Sequence, residues 1–353
     1  MAAQPTPSRK GMELGIYTFG DVFPNPFTGE PTSHKQRMRD IVRWAKLADE
    51  VGLDVFAVGE HHRLDMVVSS PPVVLASVAE ATKRIKLSSS TTLLNTLDPV
   101  RVYEDFATLD LLSDGRAEMI VGRGSFTESF PLFGYDLEDY DALFAEKIDL
   151  LLKLNTQERV TWQGTYRPPL KDAEISPRAE RPIPIWVGVG GTPQSAARAG
   201  VLGLPLNLAI LGGPQRFPPL IDLYRHAGAQ AGHDPAKLRV AISSHGYIGE
   251  DGAQAREEHY RIYSGFMRKG LRNRFRPMEI PRDHYEHEAG PRGGIFAGEA
   301  KEIVEKIRWE HQLFGHNRTL LQLDWGGIPS AKVERMIEIL GTEVAPAVRE
   351  AIP

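Results

Sequence analysis

The stretch Ile85-Lys-Leu-Ser-Ser-Ser-Thr-Thr-Leu-Leu-Asn-Thr-Leu-Asp-Pro-Val-Arg101 decides how the whole chain is read. It opens as a strand and then runs into five consecutive hydroxyl residues, Ser88 to Thr92. A buried parallel strand would normally continue there in Val, Ile and Leu. A buried hydroxyl without a partner costs about 1–3 kcal/mol, so a polar ligand at this strand end is an expected partner. Asp98 then supplies a helix N-cap, and Pro99 a first helical residue with its φ already set. The predicted helix, Val100 to Leu112, stops at Ser113-Asp114-Gly115, and a new strand begins at Ala117. The segment is strand, polar loop, helix, turn, strand.

That unit repeats on both sides. Period-two and short apolar runs predict strands over 14–19, 54–59, 117–121, 183–189, 204–210, 238–248 and 319–323. Helical periodicity covers 36–51, 72–82, 143–154, 192–200, 215–231, 251–269, 300–313 and 332–340. With the strand at Ile85 this makes eight strands, each followed by a helix. Strict alternation demands a parallel sheet, and eight units close it into an α/β fold, a (β/α)₈ TIM barrel. Such a barrel needs ~250 residues, so a chain of 353 leaves roughly a hundred for insertions and tails. One insertion follows helix four, over 155–181, with Trp162-Gln163-Gly164 as a hairpin turn. The other, over 271–298 near strands seven and eight, is rich in Arg, Pro, His and Gly. Both border the barrel mouth and read as solvated loops, with a lid over the mouth as the alternative. Residues 1–11 read as a disordered tail, and 12–353 as one domain.

Composition narrows the function classes. A net charge of −4 has no basic excess to hold nucleic acid. The absence of cysteine excludes disulfides, thiolate nucleophiles and cysteine-held clusters. The N-terminal residues lack an apolar signal core, and no apolar run approaches ~20 residues, so a cytoplasmic protein without membrane association is expected.

In this fold, chemistry sits at the C-terminal ends of the strands. Gly59-Glu60-His61-His62 follows strand two; His61 shares a face with Gly59, and a glycine beneath an imidazole leaves room for a flat ligand. His61, with an ordinary pKa near neutrality, is the catalytic candidate. Neighbouring histidines facing opposite ways make poor joint metal ligands, and the His284/His287 spacing is weak, so no metal site is expected. Ser90, Thr91 and Asn95 follow strand three. After strand four, Arg123 stands between Gly122 and Gly124 and offers a fork suited to phosphate or carboxylate. After strand five, Gly188-Val-Gly190-Gly191-Thr192-Pro193-Gln-Ser195 is a glycine-rich turn opening a helix, where free N–H groups and the positive helix end attract an anion. It lacks the spacing of the Rossmann fingerprint.

Taken in order, Gly59-Glu60-His61-His62, Leu93 through Asp98-Pro99-Val100-Arg101, Glu104-Asp105, Leu109-Asp110, Ser113-Asp-Gly-Arg116, Gly122-Arg-Gly124 and Gly190-Gly191 resemble the bacterial luciferase-like family of flavin-dependent monooxygenases. The resemblance spans nearly the whole chain. It implies reduced FMN as cosubstrate, with its phosphate near Arg123, Gly190, Gly191, Thr192 and Ser195. It also implies a ring against the end of strand three, where the family often has a non-proline cis peptide or bulge; Ser90–Thr91 is the matching bond. His61 matches a family histidine beside the flavin's reactive edge, which implies a role in orienting or protonating the oxygen bound there. The chain departs from relatives in carrying Gly190-Gly191 where they can carry Glu-Ser or serine-containing pairs, so a side-chain contact at 191 is lost. The implied partners are a small organic substrate, O₂, a separate flavin reductase and a second copy of the chain, pairing through apolar helix faces around Val73, Val74 and Val78. A deazaflavin-dependent hydride transfer and a non-catalytic flavin-binding role are the alternatives. The substrate wall is expected from Phe19, Phe23, Phe126, Phe130, Phe133, Trp325 and the 271–298 insertion.

Overall fold

The computed structural model describes residues 11–210, 212–269 and 276–353. Eight parallel strands close a barrel: β1 Glu13–Thr18, β2 Val55–Val58, β3 Lys86–Ser89, β4 Ala117–Gly122, β5 Ile185–Val189, β6 Leu206–Ala209, β7 Val240–Ile248 and β8 Arg318–Gln322. Each pairs with the next, and β8 pairs with β1. The predicted strands and barrel helices form where the periodicity puts them, with ends displaced by no more than three residues. Asp98 caps the helix Pro99–Leu112 by accepting from the N–H groups of Val100 and Arg101. No helix among the described residues is long and apolar enough to cross a membrane.

Side-chain alternation sorts the barrel interior into layers. At the bottom, Arg318 is fully buried, bonds Glu13 at 2.8 Å and Glu118, and lies 4.3 Å over the Trp186 ring. Above it Val55, Ile120, Trp186 and Leu320 fill the barrel as a separate apolar cluster. The much larger apolar cluster lies between the strands and the surrounding helices. The lower half of the barrel is therefore plugged, and open space begins at the level of Tyr17.

Both insertions differ from the solvated loops expected. The first contains an antiparallel hairpin, Arg159–Trp162 with Leu170–Glu174. Trp162 donates to Asp149, and the Tyr166 and Arg167 amides donate to Glu146, so the hairpin packs along the helix Tyr140–Thr156. None of residues 155–181 reaches the barrel cavity. In the second, residues 271–275 lie outside the described residues; the rest holds a helix, Arg282–Ala289, and a short strand, Phe296–Gly298, added parallel to the end of β7. Its anchor is Tyr285, which is fully buried. The apolar face around residues 73–78 also reads differently in three dimensions. Val74 and Val78 are buried within the core, and only Val73 is exposed. The helix Pro71–Ala81 turns that stripe inward against its own barrel, so it is not a continuous docking face.

Candidate active site

A cavity of about 870 Å³ opens above the plugged half of the barrel, lined by the C-terminal strand ends and the loops beyond them. Of the residues singled out from the sequence, His61, Ser90, Thr91, Arg123, Gly190, Thr192 and Ser195 all line it.

At the end of β2, His61 is clasped between two rings, Phe19 at 4.5 Å and Phe126 at 5.0 Å. Burial pushes its imidazole down to about 4, so it is neutral near pH 7 rather than poised to titrate there. Its Nδ1 is buried and has no protein partner. Gly59 does not leave a free shelf beneath it: a Cβ there would lie 2.4 Å from the Phe19 ring and 2.5 Å from the Ser90 carbonyl oxygen. The glycine is needed because protein atoms already occupy that space. Glu60, which sequence reasoning passed over, is a clip. One carboxylate oxygen accepts from the Leu93 amide at 2.9 Å, the other accepts from His62 Nε2 at 2.8 Å, and its own amide donates to the Thr91 carbonyl. Only tertiary packing brings Leu93 within its reach.

The hydroxyl tract divides its labour. Ser88 Oγ donates to the Ser89 carbonyl, and Ser89 Oγ donates to the Ile120 carbonyl, so both are satisfied by backbone. Ser90 and Thr91 face the cavity and are joined by a cis peptide bond. Thr91 packs over Gly122 and Gly188, where added Cβ atoms would lie 3.1 and 2.7 Å from its side chain. Those two glycines thus make room for Thr91. Asn95 does not reach the cavity. The two-residue strand Thr92–Leu93 turns back onto β4 and carries Asn95 behind the wall, where its Nδ2 donates to the Tyr140 carbonyl at 2.8 Å.

A second group of residues at the cavity has the character of an anion site. Arg123 Nη2 donates to Ser195 Oγ at 2.7 Å, its Nη1 pairs with Asp141, and its guanidinium lies 4.7 Å over Tyr140. Arg198 also approaches Asp141, at 3.7 Å, and its Nη1 is buried without a partner. Two arginines share one carboxylate, which leaves a net positive charge beside the N-terminus of the helix Pro193–Val201. Arg198 was legible only as the i+3 neighbour of Ser195 on that helix. Thr192 occupies the cap position, but its side chain makes no capping bond, so its hydroxyl is available. Gly190 and Gly191 border open space, with nothing within 4 Å of a would-be Cβ; Gly191, at φ +120°, holds a backbone conformation that favours glycine, and it sits beside the cavity rather than in its lining. These features suit a phosphate held by a guanidinium, hydroxyls and backbone N–H groups.

A second wall went largely unread in the sequence. Trp325 touches His245 at 4.7 Å, Tyr263 at 5.3 Å and Phe266 at 4.3 Å, and all four line the cavity. His245 sits at an inward position of β7, two residues after inward-facing Ser243, and that parity was the available signal. Phe23 packs edge-on to Phe266 outside the lining, Phe130 is core, and Phe133 covers His62. His284 lines the cavity from the insertion helix, whereas His287 does not.

Comparison with known proteins matches residues 12–321 to the family model described as luciferase-like monooxygenase. The chain is 28% identical to 4-hydroxyprotoasukamycin monooxygenase of Streptomyces nodosus subsp. asukaensis, over 91% of this chain and 89% of that protein. It is 35% identical to an F420-dependent glucose-6-phosphate dehydrogenase of Amycolatopsis mediterranei (strain U-32), over 47% of this chain and 51% of that protein. Among solved structures, monooxygenase RslO1 from Streptomyces bottropensis superposes with a TM-score of 0.83 at 25% identity, covering 95% of this chain and 99% of that one.

Proposed function

This chain belongs to the luciferase-like monooxygenase family, and from that premise we propose that it uses reduced FMN and O₂ to oxygenate a small organic substrate. The observation that carries the reading is one cavity lined by two unlike groups of residues. Arg123, Ser195, Thr192 and the Gly190–Gly191 turn form an anion-binding group, and buried His61 stands in an aromatic clasp, with Ser90–Thr91 also in the lining. When bound, reduced FMN would supply the electrons with which O₂ is split between the substrate and water. Arg123 and Ser195 would hold the phosphate, while Thr192 and the backbone N–H groups of the Gly190–Gly191 turn add donors. Asp141 keeps Arg123 in place from the rim, where its side chain is 68% exposed. His61, neutral, can give or take one hydrogen bond through the ring edge that lines the cavity, its Nδ1 being buried away from it, and Phe19 and Phe126 keep water from the ring. A separate reductase would deliver the reduced flavin.

The decisive measurement titrates FMN into the wild-type chain and into Arg123→Ala. Loss of a charge-assisted pair worth ~1.5–3 kcal/mol should weaken binding by roughly ten- to a hundredfold at low salt. An unchanged Kd removes the phosphate assignment. A deazaflavin-dependent hydride transfer is the second reading, favoured by the similarity of half the chain to the F420-dependent dehydrogenase. Mixing the protein with FMN and deazaflavin together, then identifying the retained cofactor by mass spectrometry, separates the two. Oxygen consumption with reduced FMN and substrate separates either from simple flavin storage.

A further inference from the structure

We infer that the substrate partner of this cavity is a flat, multi-ring aromatic compound whose hydroxyl or carbonyl group hydrogen-bonds His245, and not a linear aliphatic chain. The inference rests on the monooxygenase reading only in calling that ligand the substrate; the geometry of the cavity stands independently.

Two clusters of aromatic rings line the cavity. One is the Phe19–His61–Phe126 clasp; the other is the cluster of His245, Tyr263, Phe266 and Trp325. Ring-lined walls favour flat π-systems through offset and edge-to-face packing, worth ~0.5–1.5 kcal/mol per pair beyond burial of area. An alkyl chain gains none of that term. The second wall is held in place by the protein's own hydrogen bonds. Asp21 accepts from the Gly326 and Gly327 amides at 2.9 and 3.1 Å, and Thr18 donates to Asp324, so the loop carrying Trp325 is pinned on both sides of the ring. At about 870 Å³ the cavity is near the upper end of the roughly 300–1,000 Å³ typical of ligand sites, which leaves room for a second ring system beside a cofactor.

Within the second wall, His245 Nδ1 is buried and has no hydrogen-bond partner in the protein. That nitrogen is shut off from the cavity, so a ligand oxygen would meet the imidazole at its other ring nitrogen, which is not among the buried atoms. Burial also pushes His245 down to about 4, so it offers a neutral imidazole and selects a neutral hydroxyl or carbonyl over a full charge. The charged lining residues Glu60, Arg123, Glu128, Arg216 and Glu288 all come from elements other than the strand that carries His245.

The test uses the full chain without cofactor and measures binding of 1-naphthol, naphthalene and decanal by equilibrium dialysis. We expect 1-naphthol to bind about tenfold tighter than naphthalene, as one hydrogen bond would give, and decanal to bind weakest. His245→Phe should abolish the advantage of 1-naphthol while retaining naphthalene binding. His245→Gln should restore part of that advantage, and Trp325→Leu should weaken both aromatic probes. The inference is overturned if decanal binds as tightly as 1-naphthol, or if His245→Phe weakens both aromatic probes equally. Because no flavin is present, failure here is distinct from failure of the FMN titration or of oxygen consumption.

Discussion

His61 would act as a neutral hydrogen-bonding group, because two aromatic rings exclude the water that its charged form requires. From its residue type alone it would be a group titrating near pH 7; burial removes it from that range. His61→Ala should leave folding and FMN affinity intact while lowering product formed per O₂ consumed, with peroxide released instead. Loss of a positioned proton-handling group typically costs ~10²–10⁴-fold. In the wild type the product yield should stay flat from pH 8 to about 6, since an imidazole held near 4 stays neutral across that interval. A yield that falls through pH 6.5 would assign the group to something other than His61, and unchanged coupling in the alanine variant would move the role to His62. The residue type and position of His61 were legible in the sequence; its electrostatic state was not, because Phe19 and Phe126 come from other parts of the chain.

At the scale of the element, the helix Ala300–Phe314 carries a buried carboxyl, Glu310, one turn after Lys306. Both carboxyl oxygens of Glu310 are buried and unpartnered, while Lys306 donates to the Ile295 carbonyl. Burial pushes Glu310 up to about 8. A carboxyl raised in the folded state contributes stability that is fully present below its unfolded value of about 4.5 and is lost as pH rises through about 8. Glu310→Gln should therefore match the wild type in thermal stability at pH 5 and exceed it progressively toward pH 8.5, by as much as a few kcal/mol. A constant offset across that range would show that Glu310 does not titrate. Elements differed in how readily they could be read. The barrel helices announce themselves by a repeating apolar stripe. The helix Arg282–Ala289 is Arg-Asp-His-Tyr-Glu-His-Glu-Ala, with Tyr285 as its one large apolar anchor, and one anchor makes no period.

For the whole molecule, a buried ion network crosses the base of the barrel, where Arg318 of β8 ties Glu13 of β1 to Glu118 of β4 across the interior. Arg318, Lys86 and Arg239 together hold the Glu13 carboxyl far below its usual range against the opposing effect of burial. Arg318→Met keeps the bulk and removes the charge, which takes from buried Glu118 its ion-pair partner and leaves Glu13 with Lys86 and Arg239. Removing one member of such a network costs ~3–5 kcal/mol, so the urea midpoint should fall sharply. Replacing Arg318, Glu13 and Glu118 together by apolar residues should recover much of that loss. If the single variant unfolds at the wild-type midpoint, the network is not structural.

The sequence by itself determined the architecture, because strand and helix periods are local properties repeated through the chain and alternation leaves a parallel barrel as the economical closure. It also determined which strand ends carry polar or glycine-rich loops, since those residues interrupt otherwise apolar strands. Tertiary structure alone decided what each of them faces. Register turned Asn95 behind the wall while Ser90 and Thr91 faced inward; it filled the space above Gly59 with Phe19 and brought Glu60 under Leu93. It also assembled His245, Tyr263, Phe266 and Trp325 into one wall from three separate segments. Contacts between residues tens to hundreds of positions apart leave no period in the chain. They arise only when the strands close and fix which side chains share a layer.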